Sequence, residues 1–287
     1  MNASRLVIEA MRALPKSAIS RLAGRLAAAR LPRPLLTAGI RAFGGVVGVD
    51  FSEAREPVGS FASFQEFFTR ELRDGARPID SAPDAFVSPC DGAWGASGEI
   101  CDGLLLQLKG RKYSLARLLG GETEAAAFEG GSFATLYLSP RDYHRFHMPC
   151  DAEVVAARYL PGTLWPVNRL GLEGVDGLFT ENERICAWMR VAGGQAVPGL
   201  CLVAVGATLV GSVRVAFDNL VTNIPAAGTT SRSYQPPVAY ARGAEWGRFE
   251  FGSTIVLLAA PGVVALDLAP PGQPLRLGSR LGTLLAC

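Results

Sequence analysis

Apolar residues recur along the chain in two different rhythms. Over 3–13 and 17–30, Leu, Ile, Val, Met and Ala fall at helical spacing with Arg21, Arg25 and Arg30 between them, and a third helix is expected over 34–43. Pro15, Pro32 and Pro34 punctuate these helices. Ser63-x-x-Glu66 forms a capping box that opens a helix over 64–72, with Phe64, Phe67 and Phe68 on one face, and Asp74-Gly75 ends it. From Val87 onward the rhythm changes to short apolar runs between Gly and Pro turns. Strands are expected at 86–88, 93–100, 104–108, 133–138, 152–160, 184–191, 200–216 and 254–268, with a final pair near 273–285. A short helix is expected over 112–119. Residues 218–248 carry few apolar runs and the tetrapeptide Tyr234-Gln-Pro-Pro237, and read as a long mobile loop.

These rhythms define an α+β fold class: a mainly antiparallel β body over 49–287 behind an N-terminal helical segment, 1–48. The ending Pro274-Leu-Arg-Leu-Gly-Ser-Arg-Leu-Gly282 resembles the closing hairpin of biotinyl/lipoyl-type domains, so a barrel-sandwich-hybrid body is expected.

Charge changes the picture of the first segment. The chain carries +2 overall, but residues 1–48 hold eight Lys/Arg and one acid, a local +7 that leaves −5 for the remainder. A basic, apolar head on a mildly acidic body suits an anionic surface, and the helices are expected to dock on a membrane. Packing of the same helices onto the body as a cap is the competing expectation. No apolar run reaches the roughly 18 residues that a spanning helix needs, and Arg5, Glu9, Arg12 and Lys16 interrupt any signal-peptide core. Nothing in the charge pattern calls for a nucleic-acid partner.

The six cysteines, at 90, 101, 150, 186, 201 and 287, form no C-x-x-C pair and read as buried free thiols. With only two histidines, three residues apart, no metal site is expected.

Candidate chemistry gathers in three stretches. Gly252-Ser253 precedes the apolar run Ile255-Val256-Leu257-Leu258-Ala259 and alone reads as a bend entering a buried strand. Glycine also leaves its carbonyl open to the hydroxyl that follows. A serine nucleophile needs a base, and Leu138-Ser-Pro-Arg-Asp-Tyr-His-Arg-Phe-His-Met-Pro149 holds both histidines, His144 and His147. Val87-Ser-Pro-Cys-Asp-Gly92 offers Asp91 from a turn, and Asp, His and Ser are the components of a triad. An ordinary serine hydrolase would use the same three, although no G-x-S-x-G surrounds Ser253. A non-enzymatic membrane-binding β-domain is the other alternative.

Together these stretches resemble the phosphatidylserine decarboxylase family, proenzymes that make their own pyruvoyl cofactor. The likeness runs through FFTREL (67–72), RPID (77–80), SPCDG (88–92), KGRKYSL (109–115), LSPRDYHRFHMP (138–149), GTLWPVN (162–168), NER (182–184), VGATLVGSV (205–213) and FGST (251–254). One departure is Phe251, where the family usually has Leu; it bears on the rate of cleavage. The resemblance implies that Ser253 attacks the Gly252 carbonyl, with His147 as the base oriented by Asp91. The resulting ester eliminates, and Ser253 becomes the pyruvoyl group. Chains 1–252 and 253–287 would then remain together as an α/β heterodimer, with further dimerisation open. It further implies that the pyruvoyl carbonyl takes up the charge left by decarboxylation and that His144 returns the proton. Lys109, Asn168 and Arg184 line the site or serve only as surface charges and loop bonds. The implied substrate is phosphatidylserine, and the implied place is the cytoplasmic face of a bacterial inner membrane, held peripherally. The Arg-rich head also resembles a mitochondrial transit peptide, but family-like sequence already begins at about 13–16, which favours a permanent segment.

Overall fold

A computed structural model describes residues 3–107, 110–193, 197–209, 212–250 and 254–285, with side chains from residue 7 onward. Three helices come first: α1 (Ala3–Arg12), α2 (Lys16–Ala28) and α3 (Arg33–Val47). α4 (Phe64–Phe68) follows, then β1 (Ala85–Val87), β2 (Gly92–Glu99), β3 (Leu104–Leu106) and β4 (Lys112–Ser114). Next are α5 (Leu115–Leu119), α6 (Glu122–Ala126), β5 (Ser132–Tyr137), β6 (Arg145–His147) and β7 (Ala152–Leu160). After α7 (Arg169–Gly174) and α8 (Leu178–Glu181) come β8 (Arg184–Val191), β9 (Leu200–Val205) and β10 (Val213–Val215). The chain closes with β11 (Thr230–Tyr240), β12 (Glu245–Phe249), β13 (Thr254–Ala259), β14 (Val264–Leu266), β15 (Pro274–Leu275) and β16 (Arg280–Leu284). The fold is α+β with mostly antiparallel sheets.

Eight strands form the main sheet in the order β11-β7-β8-β9-β13-β5-β2-β15. Its central strands are apolar without interruption because both faces are covered. Along β13, Ile255, Leu257 and Ala259 enter one core with Phe146, Trp246 and Phe249. Val256 and Leu258 enter the other with Leu115, Leu118, Phe128 and Phe179. Full burial of each such Leu or Phe stabilises the fold by about 1.5–3 kcal/mol. The three-stranded sheets β10-β12-β6 and β1-β16-β14 contribute Phe146, Phe249, Phe86 and Leu281 to the first core.

The helical head packs against the body. Ile8 of α1 is buried, and Lys16 Nζ lies 4.0 Å from the centre of the Trp165 ring. Ser20 Oγ accepts a hydrogen bond from Leu209 N at 3.0 Å, and Leu36 and Ile40 join Phe61 and Phe67 in a third cluster. Leu22, Leu26, Leu35 and Val46 remain exposed. Among the described residues, no helix is long and apolar enough to cross a membrane.

Several expectations are corrected. The helix over 64–72 opens as its capping box requires, with Ser63 Oγ accepting from Glu66 N at 3.1 Å, but it stops at Phe68. Leu72 is drawn instead into a bridge with Ala54, flanked by Arg55 N to Glu71 O and Arg73 N to Glu53 O, each 2.9 Å. The expected loop at 218–248 holds two strands. β11 lies at the sheet edge with Ser231 and Ser233 exposed, so it has no apolar run, and β12 is short. The run at 200–216 divides into β9 and β10, and 112–119 divides into β4 and α5. Cys101 is exposed, whereas Cys90, Cys150, Cys186 and Cys201 are buried free thiols; Cys287 lies outside the described residues.

Candidate active site

Asp91 sits on the turn between β1 and β2 and is buried. Its carboxylate accepts from Arg77 Nε (2.8 and 3.0 Å), from Arg77 Nη2 (2.6 Å) and from Leu277 N (2.9 Å). The next residue must be glycine. Gly92 has φ of +149°, and a Cβ there would lie 2.2 Å from the carbonyl oxygen of Tyr137. SPCDG is therefore a close backbone approach that delivers a carboxylate to Arg77 of RPID.

His147 ends β6, where its N–H donates to Pro89 O at 2.7 Å. Its Nδ1 lies 2.9 Å from Gly243 O and its Nε2 3.2 Å from Tyr143 Oη. A carbonyl only accepts, so Nδ1 carries the proton and Nε2 holds the free pair, to which the tyrosine donates. Burial lowers the His147 pKa, so the ring is neutral at pH 7. The hydrogen bonds of Asp91 and His147 do not join them; the turn at Gly243 orients the ring.

His144 is fully buried, with its ring 4.1 Å from that of Phe68. Nδ1 donates to Asp142 O at 2.8 Å, while Nε2 has no partner among the described residues. Burial first, and then the neighbouring Arg70 charge, push its pKa down to about 3.

Phe251, Gly252 and Ser253 lie outside the described residues, as does Lys109. The flanks of the Gly-Ser pair are firmly tied. Phe249 N donates to His144 O at 2.9 Å, and Glu250 N to Ser212 O at 2.8 Å. The Glu250 carboxylate accepts from Ser212 Oγ and from Arg214 Nε, the latter at 2.7 Å. On the far side Thr254 pairs with both Tyr137 and Val205, and Tyr137 pairs in turn with Ala93, two residues after Asp91. Register thus brings the SPCDG turn, the histidine stretch and both flanks of Gly252-Ser253 to one end of the main sheet.

Two clefts open here. One, of about 350 Å³, is lined by Tyr143, His147, Arg77, Arg73, Gly243 and Glu245. The other, of about 360 Å³, is lined by Phe43, Tyr137, Leu138, Pro166, Asn168 and Leu209. Asn168 also caps α7 through Gly171 N. Arg184 is structural. Buried, it donates to the carbonyls of Leu118, Arg117, Thr180 and Asn182. Sequence reasoning missed the roles of Arg77, Tyr143, Gly243 and Glu250; Arg77, inside RPID, and Tyr143, inside LSPRDYHRFHMP, left a signal.

The sequence profile of the phosphatidylserine decarboxylase family matches residues 64–283. A phosphatidylserine decarboxylase proenzyme of Anaeromyxobacter sp. is 44% identical over 281 residues, covering 97% of this chain and 98% of its own length. Proenzymes with the same name from Brevibacillus brevis (42%, 85% of each chain) and Acidovorax ebreus (46%, 93% of this chain and 94% of its own) are similar throughout. The SPCDG turn and the histidine stretch, which meet at one end of the sheet with both flanks of Gly252-Ser253, are thus those of a phosphatidylserine decarboxylase, and the chain belongs to that family, whose reaction is the decarboxylation of phosphatidylserine.

Proposed function

We propose that this decarboxylase makes its own pyruvoyl group by cutting itself at Gly252-Ser253 and turns phosphatidylserine into phosphatidylethanolamine with it. The observation that carries this reading is the pair of anchors, at Glu250 and Thr254, that flank the Gly-Ser pair at the end of the sheet where the buried His144 and the half-buried His147 lie. Two buried polar atoms without partners among the described residues, Thr254 Oγ1 and the Nε2 of His144, whose backbone carbonyl binds Phe249 N, suit a polar group formed at Ser253.

Ser253 Oγ adds to the Gly252 carbonyl carbon while His147 Nε2 takes its proton. The C–N bond breaks, the proton passes to the departing amine, and an ester remains. Loss of the residue 253 Cα proton expels Gly252 as a carboxylate and leaves dehydroalanine. Water hydrolyses its imine tautomer, ammonia departs, and the short chain ends in a pyruvoyl group. In place, that carbonyl supplies the electron sink for the charge left by carbon dioxide. His144 returns a proton to the substrate carbon. In the uncut chain burial keeps Nε2 unprotonated, so this role requires the site to open after the cut.

The two products, 1–252 and 253–287, hold together as an α/β heterodimer because β13 is hydrogen-bonded along one edge to β5 and along the other to β9. The helical head over 1–48 ends at Gly48, a left-handed C-cap, and docks the body over 49–287 on an anionic bilayer. Exposed Leu22 and Leu26 support that reading, as do exposed Leu209 and Ile224, which adjoin α2 through Ser20–Leu209 and Arg21–Asn223 bonds. The enzyme is peripheral, on the cytoplasmic face of a bacterial inner membrane, and its body is of barrel-sandwich type. Intact-mass analysis tests the central claim: two chains are expected, the shorter blocked and carbonyl-reactive. A single full-length chain with decarboxylase activity overturns it.

A further inference from the structure

Arg70, in FFTREL, is a buried cation that no carboxylate among the described residues pairs with. Only 5% of it is exposed. Its Nη2 reaches Arg141 O at 3.4 Å, its guanidinium carbon lies 5.2 Å from the Phe67 ring centre, and its Nε has no partner. Among the described residues it forms no ion pair. The carboxylates that influence it, Asp91 and Glu53, are bonded to Arg77 at 2.6 and 2.7 Å, and Glu53 also meets Arg276 at 3.2 Å. Both carboxylates are thus engaged by Arg77 and Arg276, and neither bonds Arg70. His144, whose Nε2 also lacks a partner, is within reach of the Arg70 charge. A buried, unpaired guanidinium is strongly unfavourable unless a ligand completes it.

We infer that Arg70 is the residue that holds the phosphodiester of phosphatidylserine, with His144 Nε2 beside it. A phosphodiester carries one negative charge to pair with the Arg70 guanidinium, and the guanidinium fork matches its oxygens. The substrate carboxylate is the poorer fit. Its charge moves onto carbon as the bond breaks, so a cation clamped on it would stabilise the ground state over the transition state. The phosphodiester is unchanged by the reaction. Access follows from the self-cleavage reading, on which this inference rests. Phe249, at the end of the strand that leads to Gly252-Ser253, is hydrogen-bonded to the His144 carbonyl, so a cut there loosens a strand tied to the closed cluster.

The test compares purified wild type, Arg70→Gln and Arg70→Lys, each first weighed for cleavage. Binding of dihexanoyl phosphatidylethanolamine, which has the phosphodiester but no carboxylate, is read by 31P line broadening. Capture of free L-serine, which has the carboxylate but no phosphate, is read as a mass adduct after cyanoborohydride reduction. Arg70→Gln should weaken phosphatidylethanolamine binding and raise KM by about tenfold or more, with kcat at saturation and serine capture nearly unchanged. Arg70→Lys keeps the charge without the fork and should fall between the two. Unchanged phosphatidylethanolamine affinity in either variant overturns the inference, as does loss of serine capture with that affinity intact. If Arg70→Gln is not processed, Arg70→Lys alone decides. A wild type found as one chain sinks the self-cleavage reading; the Arg70 assignment then stands only if that chain binds phosphatidylethanolamine and Arg70→Gln weakens the binding, and is overturned otherwise.

Discussion

The carbonyl oxygen of Gly243 lies 2.9 Å from His147 Nδ1. That contact places the ring proton on Nδ1 and the basic pair on Nε2, while burial lowers the pKa below the usual 6.5. Self-cleavage should therefore run at a constant rate above about pH 6.5 and slow as His147 protonates at lower pH. His147→Ala should stay a single chain, as should Ser253→Ala, on a denaturing gel. Normal processing of the His147 variant would remove it as the base.

On the proposed roles, His144 serves catalysis and not processing. His144→Ala should still be cut but should form no phosphatidylethanolamine, measured by lipid product analysis on the processed chains. The same histidine makes the uncut protein acid-sensitive. Its folded pKa of about 3 lies below its unfolded value near 6.5, so protons favour the unfolded chain. Stability should fall by about 1.4 kcal/mol per pH unit for this group as pH drops below 6.5. Urea unfolding of Ser253→Ala, with and without His144→Phe, reads that slope at pH 7 and pH 5; equal slopes would contradict the assignment.

Arg77 and Asp91 are a buried bidentate pair. Arg77→Met strands a buried carboxylate and should cost about 3–5 kcal/mol. Adding Asp91→Asn should recover part of that loss, because the uncompensated charge is gone. Denaturant midpoints of both variants and of the double variant close the cycle; strict additivity would mean the pair is not coupled.

Glu250 ties the strand leading to Gly252-Ser253 to Ser212 and Arg214. Glu250→Gln keeps the shape and weakens both charge-assisted bonds, so cleavage should slow by about tenfold without loss of the fold. Pulse-labelled protein followed on gels gives the rate, and an unchanged rate would show that the anchor is dispensable.

Leu22 and Leu26 lie exposed on α2. Leu22→Asp with Leu26→Asp should reduce sedimentation with anionic vesicles while leaving processing intact. Salt should weaken the binding of the unaltered protein, by removing roughly 1 kcal/mol for each Lys/Arg near the surface, but not abolish it. Equal sedimentation of both proteins would leave α1–α3 as a cap on the body, in keeping with buried Ile8, Leu36 and Ile40.

Local chemistry made much of this protein legible from its residues alone. The helices of the head follow from 3.6-residue spacing between prolines, and β8 and β13 from continuous apolar runs that only a doubly covered strand tolerates. The motifs around Asp91, His144, His147 and Gly252-Ser253 carried the family. What the pattern could not carry are the features set by partners distant in sequence. β6 is three residues long and exists because β12 lies beside it, and β11, polar and at an edge, hides as a loop until β7 pairs with it. The same holds for the site. Asp91 meets Arg77 rather than His147, His147 is turned by a carbonyl 96 residues away, and Arg70 meets no carboxylate among the described residues. Periodicity reports which face of an element is buried; it is silent on which polar atom waits there, because a hydrogen-bond partner is chosen by tertiary register and not by neighbours in the chain.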